Sequence, residues 1–139
     1  MMNWHRVVDF RFVLPDKPGE LSGLAARLRQ ADINVIGLWG NGASSSSAAG
    51  AEFYCVPESA DQFRNFAESA ELNAREGQTY FIVGPAESAT LTQALERIAA
   101  AGINLVAIQG VQLAGEFGCF IWTHPRDWAR LEQALGAPA

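Results

Sequence analysis

The segment Ala31-Asp32-Ile33-Asn34-Val35 returns as Ala101-Gly102-Ile103-Asn104-Leu105, at an offset of 70 positions. At the same offset Leu21 falls on Leu91, Leu28 on Ile98 and Pro15 on Pro85. After a shorter second hairpin region the offset drops to 66, where Asp61 meets Asp127. A chain that repeats its pattern this way folds as two units of one plan. At 139 residues it has the length of one ordinary domain or of two units of about 70. The repeat selects the second option, with boundaries at 1–77 and 78–139.

Hydrophobic periodicity supplies the elements of that plan. From Arg6 to Leu14 the residues alternate, with Val8, Phe10, Phe12 and Leu14 on one face, the period of a half-buried strand. Pro15-Asp16-Lys17-Pro18-Gly19 reads as a turn; Asp16 can cap the next helix and Pro18 suits its first turn. Leu21, Leu24, Ala25, Leu28 and Ala31 then recur at spacings of three and four, one face of a helix over Glu20–Ala31. Ile33–Trp39 and Ala51–Val56 are strands, joined by the Gly/Ser/Ala-rich stretch Gly40–Gly50, which reads as a flexible hairpin tip. Asp61–Ala70 is a second helix, and Leu72–Glu76 a short candidate edge strand before Gly77.

The order then recurs: strand Thr79–Val83, helix Thr90–Ala101, strand Ile103–Ile108, turn region Gly110–Gly115, strand Glu116–Trp122, and a last helix opened by Pro125. Helical crossovers between strands give an α+β fold. Each unit is expected to be ferredoxin-like, βαββαβ, with an antiparallel sheet and both helices on one face. The second unit shows no clear last strand. In Thr79–Val83 both faces are apolar, Tyr80 and Ile82 opposing Phe81 and Val83. Such a sheet needs cover on its open side, from the other repeat or from another chain.

Composition narrows the function classes. With 49% hydrophobic and 18% charged residues the chain has an ample core and is not a disordered one. Its net charge of -5, without a basic stripe, argues against nucleic acid and against an anionic membrane surface. No apolar run approaches the ~20 residues of a membrane helix, and the N-terminal residues lack the pattern of a signal peptide. The expected location is the cytoplasm. Cys55 and Cys119 share no metal or redox spacing and sit in strand-like apolar runs, so buried, reduced thiols are expected. His5 and His124 are the only histidines, and no nucleophile-elbow, metalloprotease or phosphate-loop motif occurs. Hence no catalytic residues, metal or cofactor are expected. The four tryptophans, Trp4, Trp39, Trp122 and Trp128, read as core or interface anchors.

The stretch Val13-Leu14-Pro15-Asp16-Lys17-Pro18-Gly19-Glu20-Leu21, followed by Leu24, Leu28 and Ala31-Asp32-Ile33-Asn34-Val35, resembles an ACT domain. In that family a strand ends in an Asp-x-Pro-Gly turn, the next helix has a Leu near its start, and an Ile-Asn pair opens the second strand. The second repeat resembles the family more weakly. It keeps Ile103-Asn104, but its turn reads Gly84-Pro85-Ala86-Glu87-Ser88-Ala89. Together the repeats cover nearly the whole chain, which is similar to free-standing tandem ACT proteins.

The resemblance implies a regulatory protein that binds a small ligand, often an amino acid, and forms a homo-oligomer such as a homodimer, with a metabolic enzyme as its partner. The ligand would lie between the first strand–helix turn of one unit and the second-strand start of a neighbour. Carried onto this chain, these are Asp16, Lys17, Pro18 and Gly19, facing Asn34 and Asn104. The chemistry suits a zwitterion. A helix N-terminus offers backbone N–H groups and partial positive charge to a carboxylate, and Gly19 permits close approach. Asp16 can pair with an ammonium group, while an Asn side chain both donates and accepts. The same residues could serve only as cap, turn and strand end. Two further readings stand beside this one: a small ferredoxin-like enzyme, for instance a lyase or monooxygenase with a pocket on the open sheet face, and a regulatory subunit that binds its enzyme through the sheet without any small ligand.

Overall fold

In the computed structural model, which describes residues 2–41 and 50–137, the fold is α+β and consists of two ferredoxin-like units with antiparallel strands and helices on one face. The elements are β1 (Asn3–Leu14), α1 (Glu20–Gln30), β2 (Val35–Asn41), β3 (Ala51–Pro57), α2 (Ala60–Ser69), β4 (Arg75–Pro85), α3 (Ser88–Ala100), β5 (Leu105–Leu113), β6 (Glu116–Thr123) and α4 (Trp128–Leu135), the last preceded by a 3-10 turn at Pro125–Asp127. Most of the expected hairpin tip between Gly40 and Gly50, residues 42–49, lies outside the described residues.

The first unit is Val8–Gly77. Its strands stand in the order β2, β3, β1, with the start of β4 beyond β1. Phe10 faces Cys55 and Leu14 faces Ala51, while Val35 faces Pro57 and Asn41 faces Glu52. The even positions of β1 point to the helices, as the alternation requires. Phe10, Phe12 and Leu14 pack with Leu24 and Leu28 of α1, Cys55 of β3 and Phe63 of α2. Phe10 and Phe63 lie 4.5 Å apart between ring centroids. On the opposite face Asp9 is also buried, a position that the sequence pattern alone did not flag. A Cβ at Gly77 would come within 2.7 Å of its Oδ1, which explains a glycine at this point in a strand.

The second unit is Gln78–Ala139 together with Met1–Val7. Its strands run in the order β5, β6, β4, and the N-terminal part of β1 takes the place beyond β4. The second repeat, which shows no clear last strand of its own, thus receives one from residues 3–7. Trp4 anchors this strand. It is buried with Tyr80, Ile82, Ile98, Ile121 and Leu131, and its indole N–H donates to the carbonyl of Gly136 at 3.0 Å. The Trp4 and Tyr80 rings tilt against each other at 5.7 Å.

Several boundaries differ from the sequence expectation, β2 and β5 for instance beginning at Val35 and Leu105 after the Ile-Asn pairs, and three further differences have a local reason. Strand β1 begins at Asn3 because Trp4 continues the even, inward register of Phe10 and Phe12. The short strand at Leu72–Glu76 and the strand at Thr79–Val83 merge into the continuous β4, since Gly77 is extended and accommodates Asp9. The turn region Gly110–Gly115 contracts to Ala114-Gly115: Gly110 stays in β5 opposite Cys119, and only Ala114 (φ 53°) and Gly115 (φ 79°) adopt the positive φ of a two-residue hairpin turn.

The repeated Ile also acquires a structural cause. Asp32 (φ 58°) and Gly102 (φ 73°) end α1 and α3 in the left-handed conformation. The next residue then donates back into the helix, Ile33 to the Leu28 carbonyl and Ile103 to the Ile98 carbonyl. This closes each helix with the same capping motif and tucks an Ile beneath it.

Candidate functional site

The turn after β1 is built from short-range bonds. The Lys17 N–H donates to the Pro15 carbonyl at 2.9 Å, and Glu20 N–H reaches the Lys17 carbonyl at 3.4 Å. Gly19, with φ 90°, is the N-cap residue of α1, and no side chain caps the helix. Asp16 therefore does not perform the capping expected of it, and Pro18 precedes the helix instead of entering its first turn. A left-handed N-cap with no Cβ leaves the surrounding space open: a Cβ placed at Gly19 would meet nothing within 4 Å. The Asp16, Lys17, Pro18 and Gly19 side of the turn is exposed to solvent. The first turn of α1 can thus offer N–H donors and its dipole to an approaching carboxylate.

Asn34 is exposed immediately before β2, and its carbonyl accepts the Glu58 N–H at 2.9 Å. β1 and β2 are both antiparallel to β3, so Leu14 and Val35 lie at opposite ends of the first unit's sheet. The intervening length of β3 puts roughly 20 Å between the turn and Asn34 at ~3.3 Å per residue. One unit alone therefore does not bring the turn and its own Asn together. Asn104 has the same position in the second unit: it is exposed just before β5, whose start faces Thr123, while the Pro85 end of β4 faces Glu116. There the equivalent turn differs. Glu87 is the N-cap residue of α3, and the Thr90 hydroxyl donates to the Pro85 carbonyl at 2.8 Å. At the offset of 70 the second turn has Ala89 in place of Gly19 and Ala86 in place of Asp16.

The structure adds polar groups that the sequence reading passed over. Arg6 makes a two-pronged bond to Glu132, at 2.9 and 2.5 Å, and the Tyr80 hydroxyl donates to the same carboxylate at 2.6 Å. Gln78 Nε2 donates to the Tyr80 oxygen at 2.7 Å. Hydrogen bonding to Arg6 holds the Glu132 carboxyl below its ordinary range. Burial, with help from Glu132, pushes the Tyr80 phenol up to about 12. The first unit carries the mirrored arrangement, with Arg64 on its helix gripping Glu76 on its last strand at 2.6 and 2.8 Å. In each unit a forked Arg–Glu pair ties the fourth strand to the second helix, with the charges exchanged. The offset of 66 held a related signal, since it lays Arg64 on Arg130 as it lays Asp61 on Asp127. The Asp61–Arg64 pair forms within α2, the Asp127–Arg130 pair joins the 3-10 turn to α4, and Arg130 also donates to the Ala101 carbonyl at 3.1 Å.

Cys55 and Cys119 are buried, and burial pushes their thiols up to about 12 and about 11, far from thiolate at neutral pH. His5 and His124 are exposed. Among the described residues no group of three His, Cys, Asp or Glu could hold a metal ion, and no helix is long and apolar enough to cross a membrane. On the open sheet faces lie aromatic pairs, Trp39 with Tyr54 at 6.1 Å and Phe81 with Phe120 at 4.4 Å.

No protein-family model matches the chain, and no curated protein does. Solved structures match along nearly its whole length. Protein BT0572 from Bacteroides thetaiotaomicron shares 16% identity, with 96% of this chain and 88% of that one covered at a TM-score of 0.80. The ligand-free regulatory subunit of aspartate kinase from Thermus thermophilus shares 14% identity over 96% of this chain and 93% of that one, at a TM-score of 0.64. The regulatory subunit of aspartate kinase from Thermus flavus shares 14% identity over 98% and 96%, at 0.57. What these structures have in common with the chain is the arrangement of strands and helices: the chain has an ACT-like fold.

Proposed function

We propose that the chain is a non-enzymatic regulatory protein that binds a small amino-acid-like ligand and acts as a homo-oligomer, changing the state of a metabolic enzyme. The observation that carries this reading is the open turn at Asp16–Gly19, where an uncapped helix N-terminus and a left-handed glycine leave room for a carboxylate. Asp16 would take the ammonium group and Lys17 would add positive charge, while Pro18 and Gly19 set the backbone. Asn34 or Asn104 from a neighbouring unit would close the site, since Asn34 stands at the far end of the turn's own unit. The shared fold with aspartate kinase regulatory subunits supports regulation over catalysis. So does the lack of a motif for nucleophilic or metal-assisted chemistry in the sequence.

The test is a thermal-shift screen of the common amino acids. One or a few are expected to raise the melting temperature, and the Asp16→Ala, Asn34→Ala double variant is expected to lose that response while retaining the ligand-free melting temperature. A screen in which no amino acid moves the transition refutes the reading.

A further inference from the structure

The fourth strand of the first unit is the start of β4, residues 75–77, and that of the second is the start of β1, residues 3–7. They hold equivalent places in the repeat but differ in the side chains that meet the helices. At the offset of 70 Arg6 falls on Glu76, Trp4 on Ala74 and Phe10 on Tyr80. The buried pair Phe63 and Ala67 of α2 corresponds to Leu131 and Leu135 of α4, an offset of 68 that lays Arg64 on Glu132. The two forks are thus one interaction made twice with its charges exchanged: Arg6 on the strand grips Glu132 on α4, and Arg64 on α2 grips Glu76 on the strand. Tyr80 donates to Glu132, whereas Phe10, at the equivalent position, has no hydroxyl and lies against Phe63. Size is exchanged as well. Trp4 is buried with Leu131 in the second unit, while Ala74 packs in the cluster of Phe63 and Phe66 in the first.

We infer that this exchange sorts the two strands, so that residues 3–7 complete only a second unit and residues 75–77 only a first, and copies of the chain do not join through like units. Two units of one plan present similar edges while the chain folds, β1 in the first and β4 in the second. Residues 3–7 of one copy could then fill the fourth place in the first unit of another, the misassembly characteristic of repeated domains. The exchanged charges oppose this. Arg6 would meet Arg64, and Glu76 would meet Glu132, so two like-charge contacts would replace two forked pairs. Side-chain volume opposes it independently. Trp4 would have to enter the place of Ala74 beside Phe63 and Phe66, and Ala74 would leave the place of Trp4 underfilled.

The sorting does not depend on ligand binding, and its test uses the ligand-free full chain. Each variant is refolded from urea at about 50 μM, and monomer is separated from larger species by size-exclusion chromatography. Arg6→Gln with Glu132→Gln removes the second fork and its polarity. Arg6→Glu with Glu132→Arg keeps a fork in the second unit but gives both units the same polarity, so residues 3–7 of one copy now suit the helix of another copy's first unit. The urea midpoint is expected to be lower in the neutral variant than in the reversed one. The larger species are expected to run in the opposite order, about threefold more abundant in the reversed variant than in the unaltered chain, since each exposed pair shifts an equilibrium by up to about fivefold. Salt at about 1 M is expected to reduce that excess by screening the new attraction. Larger species that follow the loss of stability, most abundant in the neutral variant, overturn the inference. A reversed variant that refolds to monomer as fully as the unaltered chain overturns it too. So does an excess that salt leaves unchanged, which marks simple aggregation of a weakened chain.

Discussion

Replacing Trp4 by Ala tests whether residues 3–7 truly complete the second unit. The Trp4 side chain is 3% exposed and packs against Tyr80, Ile82 and Leu131. A buried Trp removes ~200–250 Å² from water, worth about 5–6 kcal/mol at ~25 cal/mol per Å². Compactness of the unfolded chain reduces this by ~10–40%, which leaves about 3–5 kcal/mol, the range seen when large aromatics are truncated in cores. The bond from the indole to Gly136 is part of that loss, at about 1 kcal/mol. Trp4→Ala is therefore expected to destabilise the chain by about 3–5 kcal/mol in urea titration, and Trp4→Phe by about 1–2 kcal/mol. Amide exchange should localise the damage. Protection is expected to fall in β4 and α4 and to persist in α1 and β3. A loss below about 1 kcal/mol for Trp4→Ala, or a loss of protection confined to the first unit, would refute the assignment.

Acid sensitivity should follow from the two forked pairs. Glu132 and Glu76 both have carboxyl groups held below the ordinary value of 4.5 by Arg6 and Arg64. Their contribution is present above pH 4.5 and is lost as the pH falls through the lower folded-state values. The urea midpoint is expected to decline below pH 4.5, and to decline less steeply in a Glu76→Gln, Glu132→Gln variant. The hairpin between β5 and β6 should improve on substitution: Ala114 occupies a φ of 53° that Asn tolerates better, so Ala114→Asn is expected to stabilise by about 0.5–1 kcal/mol in the same titration.

What the sequence disclosed and what it hid have a common physical basis. Periodicity reports burial, so Phe10, Phe12, Leu24, Leu28 and Ile98 were legible as core from their spacing alone. Strand ends and turns depend on single backbone angles, and these were less legible. Gly110 looked like a turn residue but lies in β5, and Asp16 looked like a cap although Gly19 fills that place. The origin of the second unit's fourth strand was hidden because it comes from the far end of the chain. Trp4 carried the one local hint, an apolar residue in the inward register of β1. The candidate turn was legible as a motif. Asn34 and Asn104 were legible as the residues opening the second strands, but the distance of Asn34 from the turn was not, because it depends on the register of β1 and β2 on β3.

The bond from Trp4 to Gly136 spans 132 positions. On a ribosome making ~5–20 residues per second, the strand is complete roughly 7–25 s before the last helix that receives it. Within that interval the first unit acquires all its strands and helices and can fold, while Trp4 waits for the helix that completes its core. Residues 3–7 must wait, unsheltered, for residues 128–136. Slow codons late in the message, or a chaperone that holds residues 3–7, would therefore bear on the yield of the second unit.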